Sequence, residues 1–530
     1  MAGGVAWWPE FRTGERVMRT PRRAGRRQSE QDPGNPEKVV IRKLPTGIPG
    51  LDEIMGGGLP EFSFNIIAGG PGCGKTTMAH QFVFANATAE RPALYFTILG
   101  ESPIKMLRYQ QQYTFFDPAK INGSIRFINL SQIVLENDLG VVLDEIVKHV
   151  ERANPAIVVV DSFRTAVRNR VGMTEMDVQF FVQQLALHLT SWEATTFLIG
   201  EYVEAEIREN PVFTVADGLI WLSQVAERNS VVRKLQVIKL RGQASVPGLH
   251  TFRITGDGLQ TFSRTLGLLA RKPRPAIRPR LSIGVPALDE MMGGGIPLGD
   301  SLLVAGASGT GKSALGTHFI TEGLRHGEPG IMAVFEERPE DAVRRAKNLG
   351  QDLETAEREG KLKVLYLRPL DLSIDESLQA ILDAVKELDA KRLVIDSLVG
   401  FEMALAPGFR TDFRESLYRM MASLTGTGVT VLSTVELDES FTEFKFSHYM
   451  VSFLADDIIR LRYVDLDGVL CRILTVIKMR DSQHSKDICE YEITDKGVTL
   501  TGRRLNGYRA LITGIPAYWS QSGPPGEPKE

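Results

Sequence analysis

Two glycine-rich segments carry the residues with the clearest chemistry. They read AGGPGCGKTTMA (68–79) and AGASGTGKSALG (305–316), and each follows a nonpolar run that predicts a buried strand. Glycines let backbone N–H groups turn inward around a phosphate chain, lysine reaches the terminal phosphates, and a hydroxyl can ligate Mg²⁺. Both segments therefore predict a phosphate loop for ATP with Mg²⁺, since a chance glycine-rich turn would have to occur twice in the same strand-to-helix setting.

The predicted nucleotide-binding residues are Gly69, Gly70, Pro71, Gly72, Cys73, Gly74, Lys75, Thr76 and Thr77 in the first loop, and Gly306, Ala307, Ser308, Gly309, Thr310, Gly311, Lys312, Ser313 and Ala314 in the second. The metal ligands are expected to be the hydroxyls of Thr76 and Ser313 together with Asp161 and Asp396, which end the nonpolar runs AIVVVD and KRLVID. An aspartate at a strand end is also a common turn residue. Its pairing with a phosphate loop favours the metal role.

Acidic residues at a further strand end are candidates for the catalytic base. The run IMAVFEERPED places Glu336 and Glu337 where they could polarise the water or hydroxyl that attacks the γ-phosphate. Two adjacent carboxylates could equally belong to a solvated surface. The first half has Gly100 and Glu101 at this place, so its site is expected to bind ATP and turn it over slowly unless Glu101 takes the role of base.

The elements that must position these residues occur twice along the chain. TGIPGLDEIMGGGLP (46–60) matches IGVPALDEMMGGGIP (283–297), and 237 residues separate the two loop lysines. Each half alternates short β-branched runs with helix-length amphipathic segments. This pattern predicts an α/β fold, a mostly parallel sheet flanked by helices, with ligands at the carboxyl edge of the strands.

Composition sets the predicted boundaries. The first domain is expected at 38–270, a proline- and arginine-rich linker at 271–280 and the second domain at 281–513. A basic arm (1–37) and a proline-rich tail (514–530) are expected to be disordered. Contact of the arm with DNA or with a partner stays open.

The charge and cysteine content narrow the class of protein. The 530 residues carry a net charge of −3, so the surface as a whole does not favour nucleic acid. The three cysteines fit a reducing cytoplasm better than a disulfide framework. No nonpolar run approaches the ~18 residues of a membrane span. We therefore expect a cytoplasmic protein without membrane segments.

The combined motifs resemble those of the KaiC family. The resemblance spans roughly residues 40–515 and rests on the two phosphate loops, GLDEIMGGG ahead of the first and its variant ALDEMMGGG ahead of the second, EERPED, IDS, and the strand endings KLRG and KMRD. It implies two tandem RecA-like P-loop NTPase domains and a hexamer of two stacked rings with ATP at every subunit boundary. It also implies that the first ring mainly hydrolyses ATP and that the second transfers phosphate to its own chain.

The strand endings provide a reason for the hexamer. Lys239 with Arg241, and Lys478 with Arg480, are two residues apart and so share one side of a strand end. The resemblance implies that each pair reaches the γ-phosphate of the neighbouring chain, and that Arg208 falls near the position of the family's additional trans arginine. The alternative is a solvated basic strand tip.

The resemblance also places the phosphate acceptors. In FSHYMVSFLADDIIRLRYV, Ser452 matches the serine acceptor, Phe453 stands where the adjacent threonine is expected, and Ser447 matches a third hydroxyl position. Because phenylalanine cannot accept phosphate, an ordered two-site cycle is not expected. The segment NGYRALITGIP (506–516) resembles a regulatory loop and implies a regulatory partner at the carboxyl end.

Three functions follow from these patterns. The first is an ATP-hydrolysing serine/threonine autokinase in signalling or circadian-type regulation, which Glu336, Glu337 and Ser452 favour. The second is a nucleotide-gated ATPase scaffold without kinase activity, which Phe453 favours. The third is a RecA-like DNA-repair ATPase, against which the near-neutral charge and the lack of a basic, glycine-rich DNA loop argue.

Overall fold

Each half of the chain forms a nine-stranded sheet with helices on both faces. The computed structural model describes residues 40–98, 103–136, 138–162, 175–207, 210–227, 230–265, 267–268, 278–367, 373–400, 410–437, 455–480, 482–505, 507–509, 511–512 and 517–518. By their contacts, Met1–Ile41 form one unit and Arg42–Glu530 another, so both nine-stranded sheets belong to the same unit. Of the first unit, only residues 40 and 41 are described, and both are exposed.

The elements of the first half follow the predicted alternation of strands and helices. The strands are β1 (Lys43–Leu44), β2 (Leu59–Pro60), β3 (Phe64–Gly69), β4 (Ala93–Thr97), β5 (Ile125–Asn129), β6 (Ile157–Asp161), β7 (Thr195–Glu201), β8 (Gly218–Glu227), β9 (Ser230–Leu240), β10 (His250–Thr255) and β11 (Gly258–Phe262). The helices are α1 (Leu51–Ile54), α2 (Lys75–Asn86), α3 (Pro103–Gln110), α4 (Ser131–Glu136), α5 (Leu139–Ala153), α6 (Glu175–Ser191) and α7 (Val212–Val215), with 3₁₀ turns at Pro118–Lys120 and Glu204–Ile207.

The second half repeats this order. Its strands are β12 (Arg280–Leu281), β13 (Ile296–Pro297), β14 (Ser301–Gly306), β15 (Gly330–Val334), β16 (Leu362–Tyr366), β17 (Arg392–Asp396), β18 (Thr430–Glu436), β19 (Asp457–Leu466), β20 (Val469–Lys478), β21 (Cys489–Thr494), β22 (Gly497–Arg504), β23 (Tyr508–Arg509) and β24 (Ala517–Tyr518). Its helices are α8 (Pro286–Met291), α9 (Lys312–Arg325), α10 (Pro339–Asn348), α11 (Leu353–Arg358), α12 (Ile374–Leu388) and α13 (Arg410–Gly426).

The two large sheets have the same strand order. The first reads β11-β10-β9-β8-β3-β7-β6-β4-β5 and the second β22-β21-β20-β19-β14-β18-β17-β15-β16. In each, the six strands from β8 to β5, or from β19 to β16, are parallel and the other three continue antiparallel. This topology confirms the predicted fold class of two tandem α/β domains, each a mostly parallel sheet flanked by helices.

Alternate residues of the central strands face opposite nonpolar layers. In β6, Val158 and Val160 pack in one cluster whereas Ile157 and Val159 pack in another. Because successive side chains of a strand point to opposite faces, a sheet covered on both sides needs continuous nonpolar runs such as these. The buried central strands hold the phosphate loops at the carboxyl edge of the sheet.

Two short strand pairs lie where the sequence predicts connector or tail. Arg280, in the predicted linker, begins β12, which pairs with β13. Within 514–530, β24 pairs with β23. The other predicted linker residues that are described, Arg278 and Pro279, lead directly into β12, and residues 271–277 and the predicted arm lie outside the described residues.

Candidate nucleotide sites

The two phosphate loops connect the central strand of each sheet to the helix that follows. Residues 69–77 join β3 to α2, and residues 306–314 join β14 to α9. Gly74 and Gly311 cap these helices with φ of 101° and 90°. A side chain at Gly74 would come within 2.7 Å of the Ile254 side chain. Glycine is therefore required here by both backbone conformation and space.

The loop lysines fold back onto their own loops. Lys75 Nζ donates to the carbonyls of Gly69 at 3.1 Å and Gly70 at 2.7 Å, and Lys312 Nζ donates to Ala307 O at 2.8 Å. Both lysine side chains are buried. Burial lowers the pKa of Lys312, and the carboxylates of Glu436, Asp396 and Glu336 oppose that shift. The ammonium groups are thus held at the mouth of each loop, where a phosphate chain would replace their carbonyl partners.

The first site brings its predicted metal ligands together. Thr76 Oγ1 donates to Asp161 Oδ2 at 2.9 Å, and Tyr95 OH donates to the same oxygen at 2.7 Å. Burial raises the pKa of Tyr95 well above its usual value, and the charge of Asp161 adds to this. Tyr95 therefore stays protonated as a donor.

Oxygen ligands of this kind suit Mg²⁺, which is held by one or two protein oxygens, water and phosphate rather than by a full protein cage. The donor set therefore fits Mg²⁺ together with a nucleotide.

A cavity of about 330 Å³ opens over the first loop. It is lined by Gly72, Gly74, Lys75, Thr76, Thr77, Tyr113, Asp161, Ser162, Glu201 and Ile254. Four of the predicted loop residues besides Thr76 thus share one cavity with the predicted metal ligand Asp161. A triphosphate group would be surrounded by the loop, the lysine and the carboxylate edge of the sheet.

The second site holds its aspartate differently. Thr434 Oγ1 donates to Asp396 Oδ1 at 2.5 Å, and Arg345 Nη2 lies 3.6 Å from Asp396 Oδ2. Ser313 is the second residue of α9, next to Lys312. The hydroxyl and carboxylate that the sequence pairs for Mg²⁺ therefore lie at the same edge of the sheet, and Asp396 already has a cationic neighbour.

The adjacent glutamates of the second half have different surroundings. Glu336 Oε1 accepts a hydrogen bond from Ser397 Oγ at 3.3 Å, and its charge acts on Lys312. Glu337 accepts a hydrogen bond from Arg345. Burial raises the pKa of Glu337, the Arg345 guanidinium opposes this, and Asp396 adds to it. Glu336 is thus the better placed candidate base, and Glu337 is engaged by helix α10.

Several predicted residues lie outside the described residues. They are Glu101, Arg208, Ser447 and Ser452, together with the sequence markers Gly100 and Phe453. Their roles stay predictions from the sequence.

The predicted trans cations lie at the other end of the sheet from their own phosphate loops. Leu240 pairs with Gly218, which pairs with Asn65 at the amino end of β3, whereas the loop begins at Gly69. Four residues of strand separate the two ends, or about 13 Å along β3. The cations next to Leu240 therefore lie at the end of the sheet that is away from the nucleotide cavity of their own half.

An aspartate holds the arginine of each pair. Arg241 Nη1 lies 3.1 Å from Asp217 Oδ1, and Arg480 Nη1 lies 2.9 Å from Asp456 Oδ1. Both arginine side chains are more than half exposed, at 60% and 62%.

The lysines of the pairs bind backbone carbonyls. Lys239 Nζ donates to Thr214 O at 3.1 Å and Lys478 Nζ to Ala455 O at 2.7 Å. Burial, followed by the charge of Arg241, lowers the pKa of Lys239. All four cations are thus positioned at a surface that a neighbouring chain could reach.

Sequence reasoning missed four residues at these sites. Glu201 and Glu436 end β7 and β18 and pair with Gly69 and Gly306, the first residues of the loops. Glu201 follows the run TTFLIG directly and Glu436 follows the run VTVLST after Val435, and a carboxylate at each strand end was the available signal. Tyr95 and Arg345 gave no sequence signal, because a buried tyrosine and a helical arginine are common. Only the fold brings them to the aspartates.

Comparisons with known proteins agree with this duplicated architecture. The family model described as "ATPase: KaiC" matches residues 44–265 and 281–504. A circadian clock oscillator protein KaiC from Rippkaea orientalis is 32% identical over 489 residues, which cover 90% of this chain and 92% of the relative.

Two further relatives have similar sequence identity and coverage. The KaiC 1 protein of a Synechocystis species is 31% identical over 498 residues, 91% of this chain and 93% of the relative. The KaiC protein of a Picosynechococcus species is 30% identical over 491 residues, 90% of this chain and 92% of the relative. In the part of the chain that the structure describes, no helix is long and nonpolar enough to cross a bilayer.

Proposed function

The chain belongs to the KaiC family of ATPases, and from this premise we propose that it hydrolyses ATP at two unequal sites and phosphorylates a serine of its own chain at the second. The observation that carries the proposal is the convergence of a lysine, a hydroxyl and an aspartate on the cavity over the first loop, repeated in outline over the second. In both halves the lysine and the hydroxyl begin the helix that follows the loop, and the aspartate ends the corresponding strand.

Bound Mg²⁺ and ATP would supply the electrophilic γ-phosphate and neutralise part of its charge. Thr76 with Asp161, and Ser313 with Asp396, would hold the metal. Lys75 and Lys312 bind phosphate oxygens. Glu336 accepts the proton of the attacking water or hydroxyl, because it borders Lys312 and is held by Ser397.

The two sites are expected to turn over at different rates. Glu336 has no acidic counterpart at Gly100 in the first half. A site that lacks the base keeps its affinity for ATP and loses part of its rate. We infer that the first site is the slower hydrolase unless Glu101 supplies the base.

The position of the cation pairs supports a ring in which one chain completes the site of the next. Lys239, Arg241, Lys478 and Arg480 lie at the edge of their sheets opposite the loops. Cations at that edge can act on a γ-phosphate only across a subunit boundary, as an arginine finger does. A homohexamer with ATP between subunits is the assembly that we propose.

The acceptor hydroxyl is assigned by sequence alone. Ser452 registers with the family's serine acceptor, and Phe453 removes the adjacent acceptor. A single phosphoserine can still report the nucleotide state through the negative charge of its phosphate. Since the relatives are named as circadian clock oscillator proteins, we propose a regulatory role of circadian type, with a regulatory protein as partner near the carboxyl end.

Incubation with γ-labelled ATP separates the autokinase from a scaffold that only hydrolyses. The autokinase predicts label retained on the protein and lost in Ser452→Ala. Label found only in free phosphate would support the scaffold instead. Loss of both protein-bound label and phosphate release in a Lys75→Met, Lys312→Met double variant would show that the two described loops are responsible.

A further inference from the structure

Helix α10 brings an arginine into the second nucleotide site. Arg345 donates to Glu337, and its Nη2 lies 3.6 Å from Asp396 Oδ2. Its side chain is 30% exposed, and among the described residues its Nε and Nη2 atoms are buried without a hydrogen-bond partner. The guanidinium therefore joins two carboxylates of the site and keeps donors in reserve.

The first half has no cation at the equivalent place. Buried Ala342 and Ala346 of α10 correspond to buried Met106 and Gln110 of α3, each pair 236 residues apart. By this alignment Arg345 corresponds to Tyr109, which is 56% exposed. The arginine is therefore a feature of the second site alone.

The neighbouring arginine shows what an ordinary surface residue of this helix does. Arg344 pairs with Asp341 three residues earlier, and its side chain is 70% exposed. Such exposed pairs contribute little to stability. Arg345 differs because it turns inward and its partners come from other elements, the carboxyl ends of β15 and β17.

The inward position of Arg345 places a cation among several carboxylates. The carboxylates of Glu436, Asp396 and Glu336 all act on Lys312, and Glu337 lies close by. A triphosphate entering this negative edge is repelled unless cations compensate, which Mg²⁺ ordinarily does. A fixed guanidinium beside Asp396 supplies part of that compensation before any metal arrives.

We propose that Arg345 is a positioning residue of the second nucleotide site, which holds Glu337 and offsets the charge of Asp396, so that this site binds ATP with less dependence on Mg²⁺ than the first. This inference rests on the proposed function, since it assumes that the second site binds ATP. It also explains why Glu337 is not the base: its carboxylate is already engaged by Arg345.

Nucleotide binding with and without metal tests the inference. The parent carries Lys75→Met, so that binding of the fluorescent analogue mant-ATP reports the second site. In excess EDTA, Arg345→Gln should weaken mant-ATP binding about threefold, the range of a partly exposed charge contact. The Mg²⁺ concentration that restores half of full binding should fall about as much, because Asp396 then attracts the metal without competition.

Arg344→Gln is the matched control, from the same helix and with the same loss of charge. It should leave the mant-ATP affinity in EDTA and the Mg²⁺ concentration for half of full binding within the error of the parent. Arg345→Lys keeps the charge without the two-pronged contact and should restore at least half of the loss in EDTA. If circular dichroism shows that Arg345→Gln is unfolded, Arg345→Lys alone is compared with Arg344→Lys, and a loss of about twofold is expected.

The outcomes separate this inference from the proposed function. A parent that binds mant-ATP, with Arg345→Gln and Arg344→Gln giving the same values, would overturn the role of Arg345 and leave the proposed function standing. A folded parent that binds no mant-ATP even with Mg²⁺ would overturn the proposed function, and this inference with it.

Discussion

Neighbouring carboxylates in the second site have separate tasks because their partners differ. Glu336 is held by the Ser397 hydroxyl beside Lys312, whereas Glu337 is bound by the Arg345 guanidinium. A carboxylate that is bound to a fixed guanidinium directs its oxygens to that cation and is not positioned to accept a proton from an attacking water. Glu336 is exposed and Glu337 is partly buried, and the arginine engages Glu337.

Substitution of the two glutamates tests this division. In a Lys75→Met background, Glu336→Gln should lower the rate of phosphate release about a hundredfold, as expected for loss of a general base, with mant-ATP affinity kept. Glu337→Gln serves as the control at the adjacent position and should lower the rate about tenfold or less. A larger loss from Glu337→Gln than from Glu336→Gln would reverse the assignment.

A second residue-scale feature is a buried acid at the start of β19. Asp457 accepts a hydrogen bond from the backbone N of Arg480 at 3.2 Å. Burial, and then the charge of Asp300, raises its pKa from 3.8 to about 7. The unfolded chain therefore loses this proton at lower pH than the folded chain, and the folded state loses stability as pH rises from about 4 to about 7.

Asp457→Asn should remove this pH-dependent loss. The expected result is a rise in melting temperature that is larger at pH 8 than at pH 5. The melting temperature is measured by thermal unfolding monitored with circular dichroism. Asp389→Asn, at an exposed carboxylate, should change the melting temperature little at either pH. An equal gain for Asp457→Asn at both pH values would show that the carboxyl is not protonated in the folded protein.

At the scale of elements, each site depends on the turn from a central strand into a helix. Gly74 and Gly311 adopt left-handed conformations, and in each case a side chain would strike an isoleucine of the antiparallel part of the sheet, Ile254 or Ile493. The antiparallel strands thus form one wall of the nucleotide sites. Their close approach explains why the loops tolerate no side chain at this position.

Gly74→Ala should therefore weaken mant-ATP binding at the first site at least tenfold, because the loop must move to accommodate both φ and the added carbon. The measurement uses a Lys312→Met background. Gly256→Ala, outside the loop, is the control, since a side chain there would meet no atom within 4 Å. Similar losses from both substitutions would argue against the steric explanation.

The elements themselves could be predicted from sequence, and their long-range contacts could not. The loops, the strand-end aspartates and the duplicated order follow from local patterns in which neighbouring residues carry the signal. The contact of Tyr95 with Asp161 joins residues 66 positions apart, and that of Arg345 with Asp396 joins β17 to a helix outside the sheet. Such contacts depend on the order of strands in the sheet, which periodicity does not specify.

At the scale of the whole molecule, one strand of the first half contacts both a nucleotide cavity and the second half. Thr251 of β10 donates to Asp375 Oδ2 at 2.9 Å, and Arg253 forms an ion pair with Glu376, at the start of α12. Ile254, the next residue, lines the first cavity. Strand β10 therefore gives the first cavity a direct physical connection to the second half of the chain.

In the proposed ring, one chain completes the nucleotide site of its neighbour. In each half the phosphate loop and the cation pair occupy opposite edges of one sheet. Neighbouring chains in a ring can bring these edges together, whereas a single chain cannot. Activity at a site should then require both edges from different chains.

Mixing two inactive variants tests this claim most directly. In a Lys75→Met background, one variant carries Lys312→Met and the other carries Lys478→Ala with Arg480→Ala. We predict that each alone shows no phosphate release above the background, and that an equal mixture recovers about one quarter of the parent rate, because one boundary in four joins an intact loop to intact cations. A mixture as inactive as its components, or full activity of the Lys478→Ala, Arg480→Ala variant alone, would contradict the account.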